Sequence, residues 1–225
     1  MTAERQMSHR AKLRFERLPS AYTHPERIGS LLPDGLPTNF RDRLMASARS
    51  RCRLSALLAR HVALPSCMTE DLETPEGRFA RLEDEDLENA LRRIGAIWHA
   101  RKIRNLIMAE PLRQLIEQLG RDNHRTALRL IDLSPEDDPA NGDGEAASDV
   151  DGLMGWIERD GLIAVNAWCR HQPAALALRL RLKLRPCPEA DDEPPARHRD
   201  LAVAIVDHVV MTLAAEARGT VGGHG

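Results

Sequence analysis

The sequence predicts a mainly α-helical fold: a compact multi-helix domain with a small antiparallel β element. Aromatic residues make up only 3% of the 225-residue chain, and Ala and Leu supply most of its apolar residues. An aliphatic core of this kind favours helices over a β-sandwich. Apolar residues also recur every three or four positions along most of the chain, which is the helical period. One stretch alternates apolar and polar residues instead and predicts the β element.

The helical stripes follow one another along the chain. Thr23 stands three residues before Glu26, with Pro25 in the first turn, and this pattern predicts a short helix reaching about Leu32. We expect Leu91 and Trp98 to lie in the core, because they share a stripe with two other apolar residues. The main stripes are those of Phe40, Leu44 and Ala48; of Leu87, Leu91, Ile94 and Trp98; of Leu112, Leu115, Ile116 and Leu119; of Leu153, Ile157, Ala164 and Trp168; and of Leu201, Ile205, Val209 and Leu213.

The alternating stretch covers residues 177–184. Leucines fall on one face, and Arg179, Arg181 and Lys183 fall on the other, which is the period of a half-buried strand. Leu and Arg prefer helices, but we weigh the period above the propensity and predict a strand. A lone strand needs a partner, and residues 13–15, which also alternate, are the best candidate.

Charge and turn residues predict the organisation of the chain. We expect a flexible segment at 1–12, a single mostly helical domain at 13–217, and a disordered tail at 218–225. Two loops interrupt the domain: an exposed acidic loop at 134–150 and a Pro-rich acidic loop at 186–196. The net charge of −2 hides alternating blocks of +7 over residues 1–60, −7 over 61–90, +6 over 91–131 and −8 over 132–151. Such blocks are either solvated surfaces or patches that steer charged partners.

Several function classes are disfavoured by what the sequence lacks. It contains no phosphate-binding glycine loop, no hydrolase nucleophile motif and no metalloprotease motif. The four cysteines lack zinc-ligand spacing, so we expect reduced thiols in the cytosol. No signal peptide or membrane-spanning stretch is apparent. We therefore predict no catalytic, cofactor-binding or metal-binding residues. The balanced charge also disfavours a general nucleic-acid binder.

Three segments together resemble one known family. They are Leu13-Arg-Phe-Glu-Arg-Leu-Pro-Ser-Ala-Tyr-Thr-His-Pro25; Leu91-Arg-Arg-Ile-Gly-Ala-Ile-Trp-His99, which continues through Arg101-Lys-Ile-Arg104 to Ala109-Glu-Pro-Leu-Arg-Gln-Leu-Ile116; and Trp168-Cys169 with the alternating stretch after it. Their order and spacing over residues 13–185 resemble the SctK family, whose YscK-like and PscK-like members are accessory proteins of bacterial type III secretion systems.

The resemblance implies a non-catalytic adaptor of the secretion sorting platform. Its expected partners are the cytoplasmic domain of the inner-membrane ring protein (SctD-like) and the switch-complex-like pod protein (SctQ-like). The stator and the ATPase are expected as indirect partners, connected through the pod protein. It also implies a cytoplasmic protein recruited to the inner membrane through protein contacts only, with no nucleic acid bound. Within the basic block, Arg101, Lys102 and Arg104 are the candidate partner interface.

Two other classes remain open from the residues alone. The first is an enzyme that uses His99 or His171 with a nearby carboxylate; it should show a pocket that joins the histidine to Asp or Glu. The second is a helical nucleic-acid-associated regulator that uses the basic block 91–131; it should show one continuous basic face.

Overall fold

The computed structural model describes residues 12–33, 37–106, 108–136, 150–188 and 196–221, and within these ranges every long element is a helix. We label the helices α1 (12–17), α2 (Pro25–Gly29), α3 (Thr38–Ala46), α4 (Ala48–His61), α5 (Pro75–Ala80), α6 (Asp84–Trp98), α7 (Ala100–Asn105), α8 (Ala109–Leu119), α9 (Arg121–Arg129), α10 (Val150–Cys169), α11 (Ala174–Lys183) and α12 (Ala196–Val221). Short 3₁₀ turns stand at Pro19–Ala21, Asp71–Glu73 and Ile131–Leu133.

The prediction of a small antiparallel β element was wrong. Residues 177–184 fall in α11 and its end, residues 13–15 fall in α1, and the described ranges contain no strand. The polar residues of the alternating stretch do not face solvent, since Arg179 is 2% exposed and Lys183 is 8% exposed. Long basic side chains bury their stems beside leucines. The alternation therefore does not separate a solvent-exposed face from a buried face. The helical propensity of Ala, Leu and Arg therefore decides the structure.

Backbone packing divides the chain into two compact units. The first is Met1–Asp84 with Cys169–Pro186, and the second is Glu85–Trp168 with Cys187–Gly225. The predicted single domain at 13–217 stays a prediction. The core of the first unit contains Ile28, Leu54, Leu58 and Leu182. The start of α2 is fixed to the end of α11, because the His24 N–H donates to the carbonyl of Leu182 at 2.8 Å.

The second unit has a core of small and aliphatic residues. Its cluster includes Ala96, Ile103, Leu115, Leu119 and Ile157. Two glycines set how closely α6 and α10 approach. A Cβ added at Gly95 would stand 1.9 Å from the carbonyl oxygen of Ile157, and one added at Gly161 would stand 2.3 Å from that of Leu91. The two helices therefore touch backbone to backbone at their crossing.

The stripe on α6 is buried only in part. Leu87 and Ile94 are buried as predicted, but Leu91 and Trp98 are half-buried. The buried face includes Gly95 and Ala96, because α10 approaches α6 there by its backbone. The Trp98 ring meets the His198 ring edge-on, with centroids 5.7 Å apart.

Several predicted loops fall largely outside the described residues. The acidic loop predicted at 134–150 is described only at 134–136 and 150, and the loop predicted at 186–196 only at 186–188 and 196. Residues 1–11 of the segment predicted at 1–12 and residues 222–225 of the tail predicted at 218–225 also lie outside. α12 ends at Val221, four residues beyond the predicted boundary. Among the described helices, none combines the length and apolar character needed to span a bilayer.

Candidate partner interface

The three predicted interface residues all lie on α7, just after a break in the helical path. α6 ends at Trp98, α7 begins at Ala100, and His99 between them has φ −94° and ψ 17°. The break leaves backbone groups at the end of α6 and the start of α7 that need new partners. Arg101, Lys102 and Arg104 follow in the first turns of α7.

Ser134 supplies partners to both sides of this break. Its hydroxyl donates to the carbonyl oxygen of Trp98 at 2.7 Å, and it lies 3.5 Å from the Arg101 N–H as an acceptor. Ser134 and the following Pro135 are buried, although both fall within the predicted exposed loop. No sequence signal indicated this contact, because the two partners stand 36 residues apart and belong to no common pattern.

The three basic side chains have different surroundings. The Arg101 guanidinium donates to the carbonyl oxygen of Ser134 at 3.2 Å and lies 3.4 Å from the Glu136 carboxylate. The Lys102 ammonium stands 4.3 Å from the centroid of the Trp156 ring, a cation–π distance. Arg104 is exposed and has no ion pair among the described residues, and Met108 nearby in sequence is 72% exposed. Of the three, Arg104 is therefore the most accessible to solvent.

A buried hydrogen-bonded pair, His99 and Asp160, lies at the break. Nε2 of His99 is 2.7 Å from Oδ2 of Asp160 on α10, and Nε of Arg159 donates to Oδ1 of the same carboxylate at 2.8 Å. Burial by itself would raise the pKa of Asp160, but the hydrogen bonds from His99 and Arg159 outweigh it and hold that pKa below its ordinary value. Asp160 is therefore ionised at neutral pH and fixes the break in α6–α7 to α10.

This pair is the His–carboxylate combination that the enzyme alternative required, but its environment is that of a core. The His99 side chain is 1% exposed, and its ring stacks at a tilt beside Trp156 with centroids 6.3 Å apart. A substrate would need access that this packing does not give. His171 is exposed in the turn after α10 and has no carboxylate paired with it among the described residues.

The buried thiols and the described acidic residues also lack the features of a reactive centre. Cys67 and Cys169 are buried. Burial raises the pKa of Cys169 to about 12, even though Arg181 acts in the opposite direction, so this thiol is protonated and unreactive at neutral pH. Within the described ranges, no group of three or more His, Cys, Asp or Glu residues is arranged to hold a metal ion.

The basic block 91–131 does not form one uninterrupted basic face. Several of its arginines are paired with carboxylates, which lowers the positive potential that phosphate binding needs. Arg92 pairs with Glu158 at 3.2 Å, Arg93 with Glu216 at 3.8 Å, and Arg113 with both Glu110 at 2.6 Å and Glu117 at 2.9 Å. The geometry thus gives the nucleic-acid alternative no support.

Comparisons with known proteins agree with the resemblance found in the sequence. Nodulation protein NolU of Rhizobium fredii is 28% identical over 181 residues, which cover 80% of this chain and 77% of that protein. Yop proteins translocation protein K of Yersinia enterocolitica is 28% identical over 175 residues, or 77% of each protein. The fold is similar to the solved cytoplasmic domain of the T3SS sorting platform protein PscK from P. aeruginosa. That match has a TM-score of 0.50 and 22% identity, and it covers 88% of this chain and 91% of the other.

The family assignment itself comes from a sequence model of the whole family. The model described as YOP proteins translocation protein K, or YscK, matches residues 11–216. That span includes α1 to α11 and most of α12, and it confirms the predicted resemblance to SctK, YscK-like and PscK-like proteins. The chain belongs to the YscK family.

Proposed function

We propose that the protein is a non-catalytic adaptor of a bacterial type III secretion sorting platform. It links the cytoplasmic domain of an SctD-like inner-membrane ring protein to an SctQ-like pod protein. Through the pod it is connected to the stator and the ATPase. It resides in the cytoplasm and is recruited to the inner membrane through protein contacts only.

The observation that carries this proposal is the family match over residues 11–216. The related Yersinia protein is named for Yop translocation, and the similar PscK structure is titled a sorting platform protein. We transfer that role to this chain because the matches cover most of its length and both compact units. A role in assembly also suits a chain in which the His99–Asp160 pair is enclosed in a core.

The α7 surface gives the proposal a first contact point. Arg104 is exposed beside Asn105, which is also exposed, and Met108 is among the most exposed large apolar residues. Arginine and methionine are enriched at protein interfaces, where a charged group beside an apolar one provides both steering and desolvation. We therefore assign one of the two partners to this surface.

Binding of each purified partner tests the proposal. Full-length protein is immobilised, and the SctD-like cytoplasmic domain and the SctQ-like protein are measured separately by interferometry at low and high salt. We expect both to bind, with association slowing as salt rises because exposed charges are screened. Arg104→Glu should weaken one partner and spare the other.

Arg121→Glu is the matched control, because Arg121 is an exposed arginine at the start of α9 in the same basic block. Arg101 is left unchanged, since its reversal would also disturb the contacts with Ser134 and Glu136. If the wild-type protein bound neither partner, the adaptor role would be wrong. Equal loss of both partners in a folded Arg104→Glu variant would contradict separate contact points.

A further inference from the structure

We propose that a groove between α1 and α4, in the first unit, docks an acidic amphipathic helix of a partner protein. This inference rests on the proposed adaptor function and adds a second binding surface to the one on α7. The expected occupant of the groove is a helix of a partner protein.

The groove has an apolar floor and a basic rim. Leu13, Arg14, Arg17 and Leu18 line one side, and Cys52 of α4 lines the other. Its volume of about 520 Å³ is within the range of about 300–1,000 Å³ that is typical of binding pockets. No carboxylate is among these lining residues. A helix that presents one apolar face fits such a groove.

The groove is preformed by hydrogen bonds between the segments that flank it. The Ser20 backbone N–H donates to Oγ of Ser55 at 3.2 Å, and the Ser20 hydroxyl donates to the carbonyl oxygen of Arg51 at 2.9 Å. In the same segment as Ser20, the rings of Phe15 and Tyr22 stack with centroids 4.9 Å apart. A preformed surface loses less conformational entropy on binding.

The helix α4, which supplies Cys52 to the groove, also carries a row of positive charge. α4 contains four arginines and no Asp or Glu. Arg49, Arg53 and Arg60 are exposed, and with Leu57, which is 48% exposed, they follow the spacing of a single helix face. Neither these three arginines nor Arg17 forms an ion pair within the part of the chain that the structure describes. Such an uncompensated row selects a partner rich in carboxylates, which arginine can bind in bidentate fashion.

The alternatives to a protein helix fit the surface less well. The apolar side of α4, with Leu54 and Leu58, is already packed in the core. The helix therefore cannot insert an apolar face into a bilayer, as interfacial helices do. The chain's own residues 1–11 contain two arginines and one glutamate, so their charge has the wrong sign. An acidic helix with an apolar stripe is complementary to both the apolar floor and the basic rim of the groove.

The test compares two double charge reversals in the full chain. Arg17→Glu with Arg53→Glu changes the rim and the stripe. Arg121→Glu with Arg129→Glu makes the same change of charge at exposed positions on α9. Binding of the SctD-like domain and of the SctQ-like protein is measured for both variants. We expect the groove variant to lose about tenfold or more in affinity for one partner, and the α9 variant to stay within about twofold of wild type.

Cys52 provides a readout at the groove itself. It is exposed, whereas Cys67 and Cys169 are buried, so a maleimide in a Cys187→Ser background reports on Cys52. The bound partner should protect Cys52 from alkylation, and the groove variant should lose that protection.

Three outcomes would overturn the inference. Unchanged binding of both partners by a folded groove variant would exclude the groove and leave the adaptor function standing. The same conclusion would follow if anionic phosphatidylglycerol vesicles or duplex DNA bound the wild type but not the groove variant, while both proteins bound the two forms equally. Failure of wild-type protein to bind either partner would instead remove the adaptor function on which the inference rests.

Discussion

Gly95 of α6 and Gly161 of α10 face each other where their helices cross: a Cβ added at Gly161 would stand 3.4 Å from the backbone nitrogen of Gly95. Each glycine also opposes a backbone carbonyl of the other helix, that of Ile157 for Gly95 and that of Leu91 for Gly161. Arg92 of α6 also forms an ion pair with Glu158 of α10. The His99–Asp160 pair lies one helical turn beyond Gly95. Because these two positions lack side chains, the helices approach closely enough for both the Arg92–Glu158 ion pair and the His99–Asp160 hydrogen bond to form.

Alanine at either glycine should destabilise the protein. The added methyl group would overlap backbone atoms that cannot rotate away, so α6 and α10 must separate. We expect Gly95→Ala and Gly161→Ala each to lower the free energy of unfolding by about 1–3 kcal/mol. Gly155→Ala is the control, because a Cβ there meets nothing within 4 Å and alanine favours the helix. It should raise stability by about 0.5–1 kcal/mol. Urea denaturation separates the three, and equal effects would contradict the close crossing.

Asp160→Asn should lower the free energy of unfolding at neutral pH by about 1–3 kcal/mol, because His99 and Arg159 lose a charged hydrogen-bond acceptor. The loss should depend on pH. The folded-state pKa of Asp160 is lowered, so its contribution to stability is present above the unfolded pKa of about 3.9 and disappears as pH falls through the folded pKa. The stability difference between wild type and variant should therefore shrink below about pH 4.

The control for that experiment is Asp132→Asn, which changes an exposed carboxylate in the turn before Ser134. Its effect at neutral pH should stay within about 0.5 kcal/mol. Chemical denaturation at pH 7 and at several acidic values gives both results. If the stability difference between the wild type and Asp160→Asn stayed constant across the whole acidic range, the carboxylate would not be stabilised by its partners.

Ser134→Ala should cost about 1–2 kcal/mol, because the carbonyl of Trp98 and the N–H of Arg101 lose their shared partner beside a buried site. Ser66→Ala changes an exposed serine and should be nearly neutral. Thermal unfolding compares the two. If Ser134→Ala melted with the wild type, the hydroxyl would not be needed at the α6–α7 break.

Replacing residues 137–149 with a short Gly/Ser linker should leave stability within about 0.5 kcal/mol of wild type. Five of these thirteen residues are acidic and few are apolar, a composition that cannot bury enough surface to offset its ordering entropy. Starting the replacement at Ser134 instead should be destabilising, since Ser134 and Pro135 are buried. Equal stability of the two replacements would contradict this boundary.

Arg179→Met should lower stability by about 1–3 kcal/mol while keeping the volume of the stem. The guanidinium donates to the carbonyl oxygen of Pro65 at 2.7 Å and to that of Ala175 at 2.9 Å, and the variant leaves the first of these acceptors without its donor. Arg121→Met, at an exposed position on α9, is the control. Helicity by circular dichroism should be unchanged in both folded variants, because α11 is already helical.

The sequence predicted the long helices well and the contacts between them poorly. The stripes of Leu153 to Trp168 and of Leu201 to Leu213 correspond to α10 and α12, because a single apolar face repeats at the helical period. The strand at 177–184 failed for a physical reason: the carbonyl partners of Arg179 and Lys183 come from Pro65 and Leu82. No local pattern reveals acceptors about a hundred residues away. The same reason hid Ser134 and the pairing of Asp160 with His99.

The contacts of α11 also determine when the first unit can be completed during translation. Its hydrogen bonds reach back to His24, Pro65 and Leu82, and most of the second unit is synthesised in between. Ribosomes add about 5–20 residues per second, so several seconds pass with Leu54 and Leu58 lacking Leu182 as a neighbour. We therefore expect the nascent amino-terminal segment to keep these leucines accessible to chaperones until α11 is made, and a stop codon before Cys169 would leave the segment permanently incomplete.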